Sequence, residues 1–152
     1  MVGFREKNKN YVTNLDRCLT LDQRISHLLP SLKRLITQLS RPDRIPQVEV
    51  AAGDNQIALV FRHLEALSGN DCTLLEEFAR SHDASVYLQS GGVGTVKPLC
   101  PEEPPMLEYR FSKNGIRVQF SPTDFIQVNS STNELMVQRA VELLELKPAD
   151  NV

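Results

Sequence analysis

The sequence predicts an α+β fold: an antiparallel sheet built from hairpins, helices packed on it, and a carboxy-terminal linking helix. Two observations predict this class. Apolar and polar residues alternate on either side of short turn sequences, as in half-buried strands. Elsewhere apolar residues recur every three or four positions, which is typical of helices with one buried face. The chain has 152 residues, 41% of them hydrophobic, so it can bury the core of one domain.

The amino-terminal residues predict a hairpin followed by a long helix. Extended segments at 3–5 and 11–13 flank a polar turn at 7–10, and an amphipathic pattern runs over 21–39. Proline has no N–H and clashes with the preceding turn, so we expect Pro30 either to kink this helix or to begin a second one. The apolar positions of the pattern are Ile25, Leu28, Leu29, Leu32, Leu35, Ile36 and Leu39.

The middle of the chain predicts the order strand, strand, helix, strand. Two strands, at 48–52 and 56–63, flank the turn Gly53-Asp54-Asn55, where we expect the positive φ values of a tight hairpin. A short helix follows, with Asn70 or Asp71 as its N-cap, and then a strand at 85–89.

The glycine-rich segment 91–95 is predicted to be a loop and not a phosphate-binding site. The lysine and hydroxyl residues of a Walker motif are missing, and a proline-rich connection at 98–105 follows where such a site needs a helix.

The last third predicts a second hairpin and a final helix. Strands at 107–111 and 116–120 flank Asn114-Gly115, the preferred pair for a type I′ turn. Ser131 and Glu134 have the spacing of a capping box, and the helix should end near residue 147. Its expected buried stripe consists of Leu135, Met136, Ala140, Val141 and Leu144.

Composition and charge exclude several protein classes. The formal net charge is -2, but residues 1–50 hold nine Lys or Arg against five acidic residues, so only this third favours a polyanionic partner. Apolar runs are far shorter than the ~18 residues of a membrane span. Charges at residues 5–7 exclude a secretory signal, so we expect a cytoplasmic protein without a membrane partner.

The titratable residues do not compose a complete active site. Cys18, Cys72 and Cys100 are an odd number without a CxxC pair, which argues against a disulfide framework. The three histidines are scattered, and Cys72 is expected to be a small packed residue.

One segment, residues 120–129, has an unusual composition. Gln127 and Asn129 alternate with apolar residues, which places two amides on one side, and Phe125 offers an aromatic face for stacking. The residues alone leave two interpretations open, a binding surface or a connector whose amides satisfy local backbone groups.

This segment resembles the stretch that precedes the methyltransferase fold in the RNA 5-methyluridine methyltransferases, and most closely the branch acting on 23S rRNA. Further similarity lies in Asn133, Met136-Val137, the pattern Leu146-x-Pro148-x-Asp150-x-Val152, Asn114-Gly115-x-Arg117, Leu59-x-x-Arg62-His63 and Asp16-x-Cys18.

The resemblance implies a three-part enzyme of which this chain is the central part. The other parts would be an amino-terminal RNA-binding TRAM barrel and a carboxy-terminal Rossmann-type domain for S-adenosylmethionine (SAM). In the family, a cysteine thiolate attacks carbon 6 of uracil, carbon 5 takes the methyl group, and a glutamate removes the proton from carbon 5. Both residues are expected beyond Val152, so no catalytic residue is assigned here.

Three residues take roles from the resemblance. Gln127 matches the glutamine of the SAM site, and Phe125 matches the aromatic residue beside the pocket for the flipped uracil. Cys18 matches the last of four cysteines that hold a [4Fe-4S] cluster, the others being expected before Met1. We therefore expect neither SAM nor the cluster to bind this fragment, and no methyl transfer by it.

The same resemblance divides the chain into three ranges. Residues 1–20 would be the remnant of the iron-sulfur region, 21–129 the central α+β domain, and 130–152 the helix leading into the methyltransferase domain. The partner would be 23S ribosomal RNA, bound weakly through basic residues. Those residues are Arg5, Lys7, Lys9 and Arg17, or Arg110 and Arg117. The alternative is a stand-alone RNA-binding or protein-interaction module without catalysis.

Overall fold

The structure, a computed structural model, describes residues 2–7, 11–112, 115–127, 129–147 and 150. It confirms the α+β class. No helix in these ranges is long and apolar enough to cross a membrane. The strands are β1 (Gly3–Arg5), β2 (Val12–Asn14), β3 (Gln47–Ala52), β4 (Ile57–Arg62), β5 (Ala84–Gln89), β6 (Val96–Cys100), β7 (Leu107–Phe111) and β8 (Ile116–Phe120). The α-helices are α1 (Gln23–Gln38), α2 (Gly69–Ser81) and α3 (Ser130–Leu144), and 3-10 turns lie at Pro42–Arg44 and Val93–Thr95.

All three predicted hairpins form as antiparallel pairs, β1 with β2, β3 with β4, and β7 with β8. The turn residues 8–10 and Asn114 lie outside the described residues, whereas Gly115 has the positive φ (65°) that the predicted turn requires.

The central sheet has the order β3-β4-β5-β6 and contains one parallel pair, β4 with β5. The sequence predicts only antiparallel pairs. The difference arises because α2 crosses over the sheet between β4 and β5 and returns the chain in the same direction. Strand β6 lies where the sequence predicts the start of a proline-rich connection, and β5 is its one partner among the described strands. Pro98 is tolerated there because an edge strand needs hydrogen bonds on one side only.

The two faces of this sheet carry separate hydrophobic clusters. On the first face, α1 and α2 pack against alternate residues of β4 and β5, such as Leu59, Phe61 and Val86. On the second face, Leu107 and Phe120 of the β7–β8 hairpin cover the intervening positions. Those are Ala51, Ala58, Val60 and Tyr87.

Helix α1 is continuous through Pro30, so the alternative of two helices is wrong. Pro30 is exposed, which lets its ring project to solvent while the predicted apolar stripe on the other side is buried. Asp22 caps the helix by accepting a hydrogen bond from the N–H of Arg24 (2.8 Å).

The caps of α2 and α3 differ from the predicted ones. Ser68 is the N-cap of α2, and Asp71 is the third residue of a capping box with it. Asn129 is the N-cap of α3, so the box predicted from Ser131 and Glu134 does not form. In both cases the capping residue lies one or more positions earlier, because any of several neighbouring Ser, Asn and Asp residues could supply the oxygen.

The β3–β4 turn does not use positive φ values, contrary to expectation. Gly53 is needed there for a different reason. A Cβ on it would lie 2.9 Å from the carbonyl oxygen and 3.0 Å from the nitrogen of Glu108. Asp54 N–H donates to that same carbonyl (2.7 Å), so the close approach fixes the β7–β8 hairpin against the turn.

Candidate functional site

The segment after β8 begins with a tight turn. Ser121 N–H donates to Asp124 Oδ2 (2.7 Å), and Asp124 N–H donates to the carbonyl oxygen of Ser121 (3.0 Å). Phe120, just before the turn, is buried in the second cluster. The turn directly follows a buried residue, so it fixes the position at which the chain leaves the core and residue 125 begins.

Phe125 and Gln127 lie on either side of an anchored residue. Ile126 packs against the second cluster, whereas Phe125 is 87% exposed and Gln127 is exposed. The exposed ring of Phe125 offers a flat apolar face on which a planar ring can stack. The structure thus presents an aromatic ring and a carboxamide, two residues apart, from a segment held by Ile126.

Asn129 does not join them. Its Oδ1 accepts hydrogen bonds from Thr132 N–H (3.0 Å) and Ser131 Oγ (2.9 Å) at the start of α3. Of the two interpretations that the sequence leaves open, Asn129 agrees with the connector, because its carboxamide oxygen accepts a local backbone hydrogen bond. Val128, between Gln127 and Asn129, lies outside the described residues.

Cys18 lies between β2 and α1 and is half-buried. Its N–H donates to Ser26 Oγ (3.0 Å), and its Sγ lies 3.1 Å from Thr20 Oγ1. The hydrogen bond with the Thr20 side chain lowers the pKa of the Cys18 thiol. A small cavity of about 60 Å³ adjoins it, and Arg17 and His27 are among its lining residues.

A metal cluster does not fit the residues around Cys18 by themselves. Cys72 is on α2 and Cys100 on β6, and the described part of the chain has no group of three or more His, Cys, Asp or Glu that could hold a metal. Burial raises the pKa of Cys72, as expected for a packed thiol. Cys18 offers one thiolate, and a [4Fe-4S] cluster needs four.

The basic residues predicted to bind RNA differ in whether a carboxylate lies beside them. On the β7–β8 hairpin, Arg110 and Arg117 both face Glu108, at 2.7 and 3.7 Å. Arg5, Lys7 and Arg17 make no ion pair with any described residue. Lys9 lies outside the described residues. The amino-terminal group therefore offers more free positive charge than the hairpin does.

Sequence reasoning missed a further polar pair, Arg62 and Gln89, which pair across β4 and β5. Their proximity depends on the parallel register of these strands, which no local sequence signal predicts.

Helix α3 contradicts the expectation of a buried stripe. Leu135, Met136, Val141 and Leu144 are 45% to 65% exposed, and Ala140 is exposed too. The predicted amphipathic pattern is present, but no described element covers it.

Comparison with curated proteins finds relatives along the whole chain. A protein of Bordetella avium named 23S rRNA (uracil(1939)-C(5))-methyltransferase RlmD is 45% identical over 152 residues, which is 100% of this chain and 32% of that protein. Proteins of the same name from Acidithiobacillus ferrooxidans and Nitrosococcus oceani are 43% and 45% identical over the whole chain, and it covers 34% of each. No protein-family model matches the chain. The chain therefore spans about a third of the length of the curated relatives it matches.

Proposed function

We propose that this chain, homologous over its whole length to one third of the RlmD methyltransferases, serves as the central part of an enzyme that methylates carbon 5 of a uracil in 23S rRNA. The single observation that carries the proposal is identity of 43–45% along all 152 residues to proteins of that name. A cytoplasmic location suits this substrate. The structure adds a chemical reason, since the two exposed side chains on either side of Ile126 suit a base and a cofactor.

In this proposal the chain positions reactants and does not react itself. The catalytic cysteine, which would add to carbon 6 of uracil, and the glutamate, which would remove the proton from carbon 5, belong to the other parts of the enzyme. When bound, SAM supplies the methyl group. Gln127 would hold SAM through its carboxamide, which can donate and accept hydrogen bonds. One amide does not make a binding site, so the remaining contacts come from the methyltransferase domain.

Phe125 would border the pocket for the extruded uracil. A base removed from its stack loses stacking free energy, and an exposed aromatic ring restores part of it, by about 1–3 kcal/mol per base. Cys18 would supply one ligand of the [4Fe-4S] cluster, with its pKa already lowered towards the thiolate that ligation requires.

The division of the chain at 20 and 129 belongs to the same proposal. Helix α3 would connect the central domain to the methyltransferase domain, which would cover its exposed apolar residues. Val2 packs against the first cluster, so the amino-terminal range is attached to the same core.

A chimera tests the proposal. This chain would replace the matching third of the Bordetella avium protein, and incorporation of labelled methyl groups into 23S rRNA would be measured. We expect the chimera to methylate and the isolated chain not to. In the chimera, Gln127→Leu should raise KM for SAM, whereas Phe125→Ala should lower kcat/KM for RNA by about tenfold. Leu64→Ala, at a side chain that is 56% exposed elsewhere on the surface, is the control.

A folded but inactive chimera would favour the second candidate, an RNA-binding or protein-interaction module without catalysis. The observation in favour of that function is that Arg5, Lys7 and Arg17 have no ion pair with a described residue, and that no described element covers the apolar residues of α3.

A further inference from the structure

The turn at residues 121–124 is closed by hydrogen bonds among its own residues. The N–H of Asp124 donates to the carbonyl oxygen of Ser121 (3.0 Å), as in a β-turn. The carboxylate of Asp124 closes the turn a second time, since its Oδ2 accepts from the N–H of Ser121 (2.7 Å). Proline at the second position, Pro122, fixes φ near the value that such a turn needs. The conformation of the turn therefore depends on Pro122 and on the side chain of Asp124.

Buried contacts lie on both sides of this turn. Phe120, directly before it, is 4% exposed in the second cluster, and Ile126, two residues after Asp124, packs against the same cluster. The residues between these two anchors could follow many paths if nothing constrained them. The turn selects one path, and Phe125 is the residue directly after it. The position of the Phe125 ring thus depends on the hydrogen bond between Ser121 and Asp124.

Gln127 depends less on the turn than Phe125 does. Phe125 lies between the turn and Ile126, whereas Gln127 lies beyond Ile126, whose contact with the second cluster holds the chain independently of the turn. A change at Asp124 should therefore displace the aromatic ring more than the carboxamide.

Asp124 contributes little to holding the core together. It is exposed and makes no ion pair with any described residue. Water competes for both groups of an exposed hydrogen bond, so its loss opens the chain locally while the core stays folded. The effect of Asp124 on the position of Phe125 can therefore be measured separately from its effect on stability.

We propose that Asp124 is a positioning residue of the methyltransferase. Its carboxylate, by closing the turn, holds the ring of Phe125 where the extruded uracil stacks. This inference rests on the proposed function, because Phe125 meets a uracil only there. Placement matters for such a group, since a displacement of about 1 Å can slow an enzymatic reaction strongly. Asp124 acts through Phe125 and contacts neither RNA nor SAM.

Methylation by the chimera tests this role, with kcat/KM for 23S rRNA and KM for SAM measured separately. Asp124→Ala should lower kcat/KM for RNA by about three- to tenfold, whereas KM for SAM should change by less than about twofold. A general loss of structure would affect both quantities. Asp124→Asn keeps an acceptor oxygen for Ser121 N–H and should restore most of the loss. Asp43→Ala is the matched control, because it removes a carboxylate that is 61% exposed on the 3-10 turn at 42–44, and it should leave both quantities unchanged.

A double substitution distinguishes positioning from direct contact. In a Phe125→Ala background the ring is absent, so Asp124→Ala should change kcat/KM for RNA by less than about twofold. An undiminished effect of Asp124→Ala in that background would show that Asp124 acts on RNA by itself, and the inference would be wrong.

Thermal midpoints of the same preparations separate displacement of Phe125 from unfolding. If Asp124→Ala does not fold, Pro122→Ala takes its place, because it frees φ in the turn and keeps the hydrogen-bonding groups of Asp124. Pro122→Ala should also lower kcat/KM for RNA and lose that effect in the Phe125→Ala background. If the chimera is active and these variants behave like Asp43→Ala, this inference fails while the proposed function stands. An inactive chimera carrying the unaltered chain would overturn the proposed function and this inference with it.

Discussion

Asp71, in the first turn of α2, accepts hydrogen bonds from both the N–H (2.8 Å) and the hydroxyl (2.6 Å) of Ser40, which follows α1. The same carboxylate accepts from the N–H and hydroxyl of Ser68, at 3.1 and 2.8 Å. Asp71 is 1% exposed, so one buried charge holds the end of α1 against the start of α2. Four donors on a carboxylate satisfy its lone pairs and offset the cost of removing it from water.

This arrangement predicts a pH-dependent contribution to stability. Burial by itself raises the pKa of Asp71, but the hydrogen bonds from Ser40 and Ser68 outweigh it and lower the pKa to about 2. A depressed pKa in the folded state gives stability that is present above the ordinary value of 3.8 and is lost as the pH falls towards 2. Asp71→Asn should therefore lower the free energy of unfolding by about 2 kcal/mol at neutral pH.

Urea denaturation at a series of pH values checks this. The difference between the unaltered chain and Asp71→Asn should narrow between pH 4 and pH 2, where the wild-type carboxylate becomes protonated. Glu77→Gln, the same loss of charge at an exposed position of α2, is the control and should change little. A constant difference across the pH range would contradict the role given to the charge of Asp71.

Local patterns predict most of the elements but not their three-dimensional partners. The hairpin around residue 53 and the amphipathic period of α1 depend on neighbours in sequence, and both predictions are confirmed. The parallel pairing of β4 with β5 depends on the path of α2. The identification of Pro98 in a strand depends on that strand lying at the edge. Tertiary contacts determine such features, and a short stretch of sequence does not indicate which distant residues will be in contact.

The residues of the candidate site are also only partly predictable from local sequence. Phe125 and Gln127 took their roles from a resemblance, and local composition indicated only an aromatic ring near an amide. The sequence predicts only that Gln89 lies in a strand. Its position beside Arg62 is not predicted, because it depends on the register of β4 with β5. For α3, the amphipathic period is correct, but a period indicates only that a face can be buried and not which element covers it.

The close approach at the β3–β4 turn predicts that Gly53→Ala destabilises the chain. The added Cβ would lie within 3.0 Å of two backbone atoms of Glu108, and backbone cannot move aside as a flexible side chain does. We expect a loss of about 1–3 kcal/mol, as for overpacking, measured by thermal or urea denaturation. Gly92→Ala, where the Cβ contacts nothing, is the matched control. Equal stability of the two variants would show that the hairpin adapts at Glu108.

The hydrogen bond of Cys18 with Thr20 predicts selective thiol reactivity. Because this bond lowers the pKa of Cys18, more thiolate is present near neutral pH, and alkylation by iodoacetamide should be faster there than at Cys72. In a Cys72→Ser, Cys100→Ser background, Thr20→Val should move the pH midpoint of alkylation upwards. Thr73→Val is the control, since that hydroxyl donates to the carbonyl oxygen of Gly69. An unchanged midpoint in Thr20→Val would show that the hydroxyl of Thr20 does not stabilise the thiolate.

The uncovered residues of α3 predict a difference between the isolated chain and a complete enzyme. With about 100° of rotation per residue, Met136 and Leu143 lie within about 20° of each other around the helix. Leu135, although counted in the predicted stripe, lies about 100° from Met136, between Arg139 and Glu142, so the stripe does not include it. Met136 and Leu143 are 60% and 66% exposed, so Met136→Gln with Leu143→Gln should change the stability of the isolated chain by about 0.5 kcal/mol or less.

In the chimera the same double substitution should abolish or strongly reduce methylation, because a domain that covers α3 would then bury two amides in an apolar contact. Leu135→Gln, at a residue that is 65% exposed, should reduce activity much less. Methyl incorporation and the thermal midpoint, measured on the same preparations, separate loss of docking from loss of folding. If the double variant methylates as well as Leu135→Gln does, the apolar side of α3 is not the surface on which the methyltransferase domain packs.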